Sequence, residues 1–128
     1  MRFRVASEFN APTVLVVDDD DIVQATVCRA LENAGYRVLS ASGSREALEI
    51  ARAEKSPIAV AVLDYGLADM RGTELGQALS TLLPGLRVLI SSGLPAGSIE
   101  LRPGQRFLEK PFNAQTLRAA VLSELLDA

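Results

Sequence analysis

The stretch Ile58-Ala59-Val60-Ala61-Val62-Leu63 is apolar throughout and meets no polar residue before Asp64. A short apolar run bounded by turn formers, Ser56-Pro57 before it and Tyr65-Gly66 after it, predicts a strand buried on both faces. Four further runs predict strands: Thr13–Val17, Tyr36–Ser40, Leu86–Ile90 and Arg106–Glu109. Between them the apolar residues return at helical spacing. Val23, Val27, Ala30, Leu31 and Ala34 line one helix face, which Gly35 ends as the residue after the cap. Ser44 is placed to cap a second helix with Ala47, Ile50 and Ala51 inward. Leu75, Ala78, Leu79 and Leu82 mark a third, stopped by Pro84-Gly85. Asn113 can cap a last helix with Leu117, Val121 and Leu125 on its core side. The segment Leu94–Gly104, with Pro95, Gly97, Pro103 and Gly104, leaves room for at most a short helix around Ser98–Leu101.

Strand and helix thus alternate. That pattern predicts an α/β fold, a doubly wound, flavodoxin-like (βα)5 three-layer sandwich with a parallel sheet. Right-handed crossovers favour the strand order 2-1-3-4-5. Residues 1–12 show no periodicity and are expected to be a disordered or appended arm, leaving 13–127 as the one folded domain. In this topology strands 1 and 3 are neighbours. Asp18, Asp19 and Asp20 leave the first and Asp64 leaves the third at the same edge, where such sheets bind ligands. Ser92 ends strand 4 and Lys110 ends strand 5.

Composition narrows the chemistry. The chain has 128 residues, 48% of them hydrophobic, with a net charge of −3. No run reaches the ~18 apolar residues a membrane span needs, and no signal peptide is apparent, so a cytoplasmic protein is expected. The single Cys28 excludes an internal disulfide and is read as a small filler or a partly exposed helix residue rather than a redox site. The absence of histidine excludes Ser-His-Asp and Cys-His catalysis and most zinc sites. The scattered arginines argue against direct nucleic-acid binding.

What remains is carboxylates, hydroxyls and lysine. Three carboxylates brought together repel: at ~4 Å and an effective dielectric of ~20, each pair costs roughly 4 kcal/mol. Protons or a hard cation must offset this, and Mg2+ takes one or two carboxylates while keeping waters. Lys110 adds a fixed positive charge and Ser92 a donor that can move. Such a site suits phosphoryl transfer, in which a carboxylate can be the nucleophile. Each element has a plainer reading: the aspartate run as helix capping, Asp64 as a loop cap, Lys110 as a solvated side chain. Asp20 or Asp21 is expected to cap in any case, and Asp69 is read as a loop residue. Strand alternation points either Ser91 or Ser92 at the site, and Ser92 is preferred.

Four motifs, Val14-Leu15-Val16-Val17-Asp18-Asp19-Asp20, Val62-Leu63-Asp64-Tyr65-Gly66-Leu67-Ala68-Asp69-Met70-Arg71-Gly72, Val88-Leu89-Ile90-Ser91-Ser92-Gly93 and Phe107-Leu108-Glu109-Lys110-Pro111-Phe112, occur in this order. Together they resemble the receiver domain of two-component response regulators, of the stand-alone or hybrid-kinase type, over about Pro12 to Leu126. The resemblance implies Asp64 as phosphoacceptor, and Mg2+ (or Mn2+) held by Asp19, by Asp18 largely through water, by Asp64 and by the Gly66 carbonyl. It implies Ser92 as switch hydroxyl, Lys110 on the phosphoryl oxygens with a cis Lys110–Pro111 peptide, and Phe107 as switch aromatic, read by shape because it lacks a hydroxyl. It further implies a sensor histidine kinase or histidine phosphotransfer protein as phosphodonor, and output through a separate effector or through further domains. Such a receiver catalyses its own phosphorylation and dephosphorylation, yet its role is signalling rather than metabolic catalysis.

The chain departs from the pattern in three places. Ala68 replaces a common proline. Gly66 puts no side chain beside the phosphate and leaves water a more open route. The interval from Ser92 to Lys110 is a few residues short, so the family's fourth helix must be truncated or lost; since that helix contributes to the dimer face of many receivers, a monomer or weak dimer is expected. Two other classes compete. One is a receiver-like scaffold that works without phosphorylation. The other is a haloacid-dehalogenase-like phosphatase, for which Asp18 rather than Asp64 would carry the phosphoryl group.

Overall fold

The structure, a computed structural model, describes residues 11–127. Most of the arm expected at 1–12 lies outside the described residues. Five strands, β1 (Thr13–Val17), β2 (Arg37–Ala41), β3 (Ile58–Asp64), β4 (Arg87–Ser92) and β5 (Gln105–Glu109), alternate with helices α1 (Asp21–Asn33), α2 (Ser44–Ala53), α3 (Gly72–Leu82) and α4 (Ala114–Leu126). All pairings are parallel and the order is β2-β1-β3-β4-β5. Val17 pairs with Leu63, and Asp64 with Ser91. The acids of β1 and β3 therefore leave the sheet side by side.

Two apolar layers sandwich the sheet. Leu15, Val17, Leu63 and Ile90 pack with Ala47 and Ala51 of α2 and Leu75 and Leu79 of α3. Val14, Val16, Val60, Val62 and Leu89 pack on the opposite face with Val27 and Leu31 of α1 and Leu117 and Val121 of α4. The central strands alternate between these layers and are buried on both faces, which is why they read as unbroken apolar runs. The buried Glu124 ties α4 to the sheet: Arg87 Nε lies 3.2 Å and Arg106 Nε 3.8 Å from its carboxylate.

Several local expectations are met. Asp20 caps α1, its Oδ1 accepting from the N–H groups of Ile22 and Val23. Asn113 caps α4 by accepting from Thr116 N–H at 2.8 Å. Gly35 has φ +99°, the left-handed conformation a helix end asks of glycine. The Lys110–Pro111 peptide is cis. Cys28 is half-buried against the second layer.

Others are corrected. Ser44 is the first residue of α2; the cap position belongs to Gly43, which has no side chain to offer. Leu82 is 41% exposed, because it ends α3 beyond the layer that Leu75 and Leu79 enter. In place of the short helix around Ser98–Leu101 there is one 3-10 turn, Ala96–Ser98. Pro95 at φ −59° starts it, and its carbonyl accepts from both the N–H (2.9 Å) and the hydroxyl (2.7 Å) of Ser98. The fourth helix of the resemblance is thus reduced to this turn.

Candidate functional site

The carboxyl edge of β1, β3 and β5 holds the candidate site. Asp18 follows β1 directly and is 4% exposed. Its backbone N–H donates to the Ala41 carbonyl at 3.2 Å. Gln24, one turn into α1, donates from Nε2 to the carbonyls of Asp18 and Ala41, both at 2.9 Å. Asp64 ends β3. Its neighbour Tyr65 donates its N–H to the Ser91 carbonyl at 2.8 Å, and Gly72 returns the loop by donating to the Tyr65 carbonyl at 2.8 Å. That return brings α3 against the end of β3: a Cβ on Gly72 would lie 2.3 Å from the Asp64 carbonyl oxygen, so only glycine fits.

One carboxylate oxygen from each of Asp18, Asp19 and Asp64 lies within 4.8 Å of the others. Lys110 closes the site from β5. Its Nζ is 3.0 Å from Asp64 Oδ1 and 3.2 Å from Asp18 Oδ2. Its backbone N–H donates to the Ser92 carbonyl at 2.8 Å, which fixes the strand end from which the side chain reaches across.

The electrostatics are unbalanced. Burial pushes the Asp18 carboxyl above the usual range and the charge of Asp64 adds to it; the Asp20 N–H and Lys110 oppose the rise without cancelling it. Burial pulls on the Lys110 ammonium in the downward sense, but its hydrogen bond to Asp64 and the charges of Asp64 and Asp18 outweigh that, and its pKa is raised. One ammonium against three carboxylates leaves excess negative charge, and every donor in the cluster is oxygen. This donor set fits a hard divalent cation and is typical of a Mg2+ site.

The other predicted residues lie on the same strand ends and loops. Ser92 is 5% exposed, and its Oγ accepts from the Leu94 N–H at 3.0 Å rather than meeting Lys110 or an acid. Ser91 is 2% exposed, and its hydroxyl faces the Leu63 carbonyl at 3.5 Å. Ser92 is therefore the hydroxyl engaged with the loop that follows β4, and Ser91 the one turned to the sheet. Phe107 is half-buried in β5, in register with Ile90 of β4. Gly66 is exposed, and a Cβ there would meet nothing within 4 Å. Two positions in this framework escaped the sequence reading: Gly72 and Gln24. The glycine had a signal, since it closes the loop after Asp64 where a helix begins. Gln24 had none beyond facing β1 on a helix.

A parallel five-stranded sheet with an acid cluster and a lysine at its switch point defines a receiver. The family profile of the response regulator receiver domain matches residues 14–122, and the chain belongs to this family. It is 32% identical over 119 residues to the sensor kinase CckA of Brucella abortus (strain 2308), a match spanning 90% of this chain and 12% of the kinase. It is 27% identical over 110 residues to the response regulator receiver protein CpdR of the same organism, spanning 81% of this chain and 88% of that protein. A CheY-like response regulator receiver domain protein from Methanospirillum hungatei JF-1 superposes with a TM-score of 0.82 at 28% identity, covering 91% of this chain and 95% of that one. The relatives therefore include both a stand-alone receiver and a kinase of which the chain spans only a small part. The receiver is a signalling module of two-component systems and implies a histidine kinase or phosphotransfer partner. Among the described residues no helix is long and apolar enough to cross a membrane.

Proposed function

We propose that this receiver takes a phosphoryl group from a phosphohistidine on a sensor kinase or phosphotransfer protein onto Asp64, and that the phosphorylated state changes what the chain binds. The observation that carries the reading is the convergence of Asp18, Asp19 and Asp64, one oxygen of each within 4.8 Å of the others, opposite Lys110. Asp18, Asp19, Asp64 and the Gly66 carbonyl would hold Mg2+, which when bound neutralises charge on the phosphoryl oxygens.

A carboxylate oxygen of Asp64 attacks the phosphorus and the P–N bond to the donor imidazole breaks, its electron pair returning to the ring nitrogen. Lys110, already hydrogen-bonded to Asp64, stands where it can follow the charge onto the phosphoryl oxygens. Ser92 Oγ then turns from the Leu94 N–H towards the new group. That exchange is the switch step, since it frees the loop after β4. Phe107, packed on the same strand pair, follows by shape. Water later attacks the phosphorus, the P–O bond to Asp64 breaks, and inorganic phosphate leaves with the carboxylate restored. The reduction of the fourth helix to one turn supports an output surface unlike that of receivers that dimerise there, so a monomer or weak dimer fits best. Asp18 is the weaker nucleophile candidate, because its Oδ1 accepts from Asp20 N–H at 2.9 Å and its Oδ2 is taken by Lys110.

Intact mass after incubation with Mg2+ and a small acyl phosphate tests this. One added phosphoryl group is expected, absent in Asp64→Asn and blocked by a chelator. Phosphoryl gain retained in Asp64→Asn but lost in Asp18→Asn would point to the phosphatase class. No gain from the acyl phosphate or from histidine kinases would leave a scaffold that works without phosphorylation.

A further inference from the structure

The β2–α2 turn contributes no group to the acid cluster, yet both acid-bearing loops are fastened to it. On the β1 side, Gln24 and the Asp18 N–H hold the Ala41 carbonyl. On the β3 side the fastening is Asp69. Its carboxylate accepts from the Ser44 hydroxyl at 2.6 Å, from the Ser44 N–H at 3.2 and 3.3 Å, and from the Arg45 N–H at 3.4 Å. It thereby caps α2 from 25 residues further along the chain, at the helix whose own cap position is Gly43. Ser44 is 4% exposed, and a Cβ on Gly43 would lie 3.4 Å from Asp69 Oδ2, so the carboxylate is seated closely on the turn. The Ser44 hydroxyl, and then the N–H groups of Ser44 and Arg45, hold the Asp69 carboxyl below its usual range against a smaller opposing effect of desolvation.

The loop between Tyr65 and Gly72 is pinned at its ends, and Leu67, 7% exposed, enters the core beneath it. Gly66 has no such anchor. It is exposed and has no side chain, so the direction of its carbonyl depends on what holds the residues around it.

We propose that Asp69 is a positioning residue: clamped to Ser44, it holds the loop after Asp64 so that the Gly66 carbonyl completes the oxygen set of the acid cluster. This rests on the reading of that cluster as a divalent-cation site. Asp69 acts through the loop, not by touching the cation. A charge effect of Asp69 at a distance is the competing account, and the partner residue separates the two. Ser44→Pro leaves the Asp69 charge in place and removes both Ser44 donors. Proline suits the first position of a helix, and Gly43 (φ −163°, ψ 176°) already has the extended backbone that a residue before proline needs.

The test is Mg2+ titration calorimetry on wild type, Ser44→Pro, Asp69→Ala and the double variant, with metal-free urea unfolding and amide exchange at Gly66 and Leu67 in each. Wild type is expected to bind Mg2+. Ser44→Pro and Asp69→Ala should each weaken binding about tenfold, the size expected for a lost outer-shell partner. The double variant should be no weaker than Asp69→Ala, and exchange at Gly66 should quicken in every variant. If Ser44→Pro fails to fold, Ser44→Ala replaces it with a smaller loss in the same direction. A loss in Asp69→Ala with wild-type affinity in the Ser44 variant assigns the effect to charge and overturns the proposal, as does wild-type affinity in all variants. A wild type that does not bind Mg2+ overturns the cation site itself, and the positioning role with it.

Discussion

The Lys110 ammonium lies 3.0 Å from Asp64 Oδ1, and the same nitrogen is 3.2 Å from Asp18 Oδ2. A single cation therefore bridges the two strands that carry the acids, from a third strand. Lys110→Met keeps the apolar stem and removes the charge. The metal-free protein is expected to lose about 1–2 kcal/mol at pH 7 by urea unfolding, the scale of a lost charge-assisted hydrogen bond, and phosphorylation by an acyl phosphate should slow about a hundredfold. The raised Lys110 pKa sets the pH dependence. The folded state keeps its proton where the unfolded chain has lost it, so the contribution is complete below the ordinary lysine value of about 10.4. It is lost as pH rises through the higher folded value. The stability gap between wild type and Lys110→Met should close on that alkaline side. A gap that stays open as pH rises through that range would refute the assignment.

Asp18 behaves in the opposite sense. Its folded carboxyl is raised, so the folded protein holds a proton more firmly than the unfolded chain. Stability therefore falls as pH climbs from the ordinary aspartate value of about 4 through the folded value, and the charged Asp18 is a burden at neutral pH. Asp18→Asn keeps the acceptor for the Asp20 N–H and drops the charge. The metal-free variant is expected to be more stable than wild type at pH 7 by about 1 kcal/mol, with the difference vanishing below pH about 4. Mg2+ should raise the melting temperature of wild type and leave the variant unmoved. Thermal unfolding with and without Mg2+ decides it, and equal Mg2+ stabilisation of both proteins would remove Asp18 from the site.

The acids were legible because each follows an apolar strand, and the strand order that chirality favours brings those two strand ends together. The same logic found Lys110 at the end of β5. What escaped depends on contacts between segments far apart in the chain. Gly76 reads as an ordinary helix position, yet it is buried where a Cβ would come within 2.6 Å of Gln105 Nε2 and 3.0 Å of Val88 Cγ1. Ser44 has the residue type of a cap but stands one position inside the helix, and the carboxylate that caps α2 comes from Asp69. Nothing local distinguishes an aspartate that faces water from one that reaches another helix. The turn at Ala96–Ser98 lies earlier than the short helix expected around Ser98–Leu101, because Pro95 starts it.

Ile22 stands 79% exposed at the start of α1 and lines a groove of about 520 Å³ beside Lys110, with Val23, Val27, Pro111 and Phe112. A protein phosphodonor has to bring its imidazole to Asp64, and this groove is the apolar surface next to that point. A small acyl phosphate needs no such surface. Ile22→Ser should therefore leave phosphorylation by the small donor within twofold of wild type and lower transfer from a cognate histidine kinase about tenfold, a typical contact loss for an interface anchor. Parallel assays with the two donors make the comparison. Equal losses with both would mean that Ile22 supports the site itself, and no loss with the kinase would place the donor elsewhere.

Gly66 is expected to set how easily water reaches Asp64 in the proposed phosphorylated state. It lies two residues after Asp64 on the exposed side of the site, its φ is not positive, and a Cβ there meets nothing within 4 Å. Backbone and space both admit a side chain, so Gly66→Asn should fold with an unchanged melting temperature. The carbonyl, the part of Gly66 assigned to the cation, is retained, and Mg2+ affinity should be unchanged. What the asparagine adds is bulk and a polar group beside the phosphorus, on the side from which water attacks. Hydrolysis needs that water aligned with the breaking P–O bond, and an obstructed approach slows it. The phosphoryl half-life, followed by the decay of the phosphorylated mass after removal of the donor, should lengthen severalfold. Equal half-lives would show that the open approach at Gly66 does not limit hydrolysis, and that water reaches Asp64 by another side.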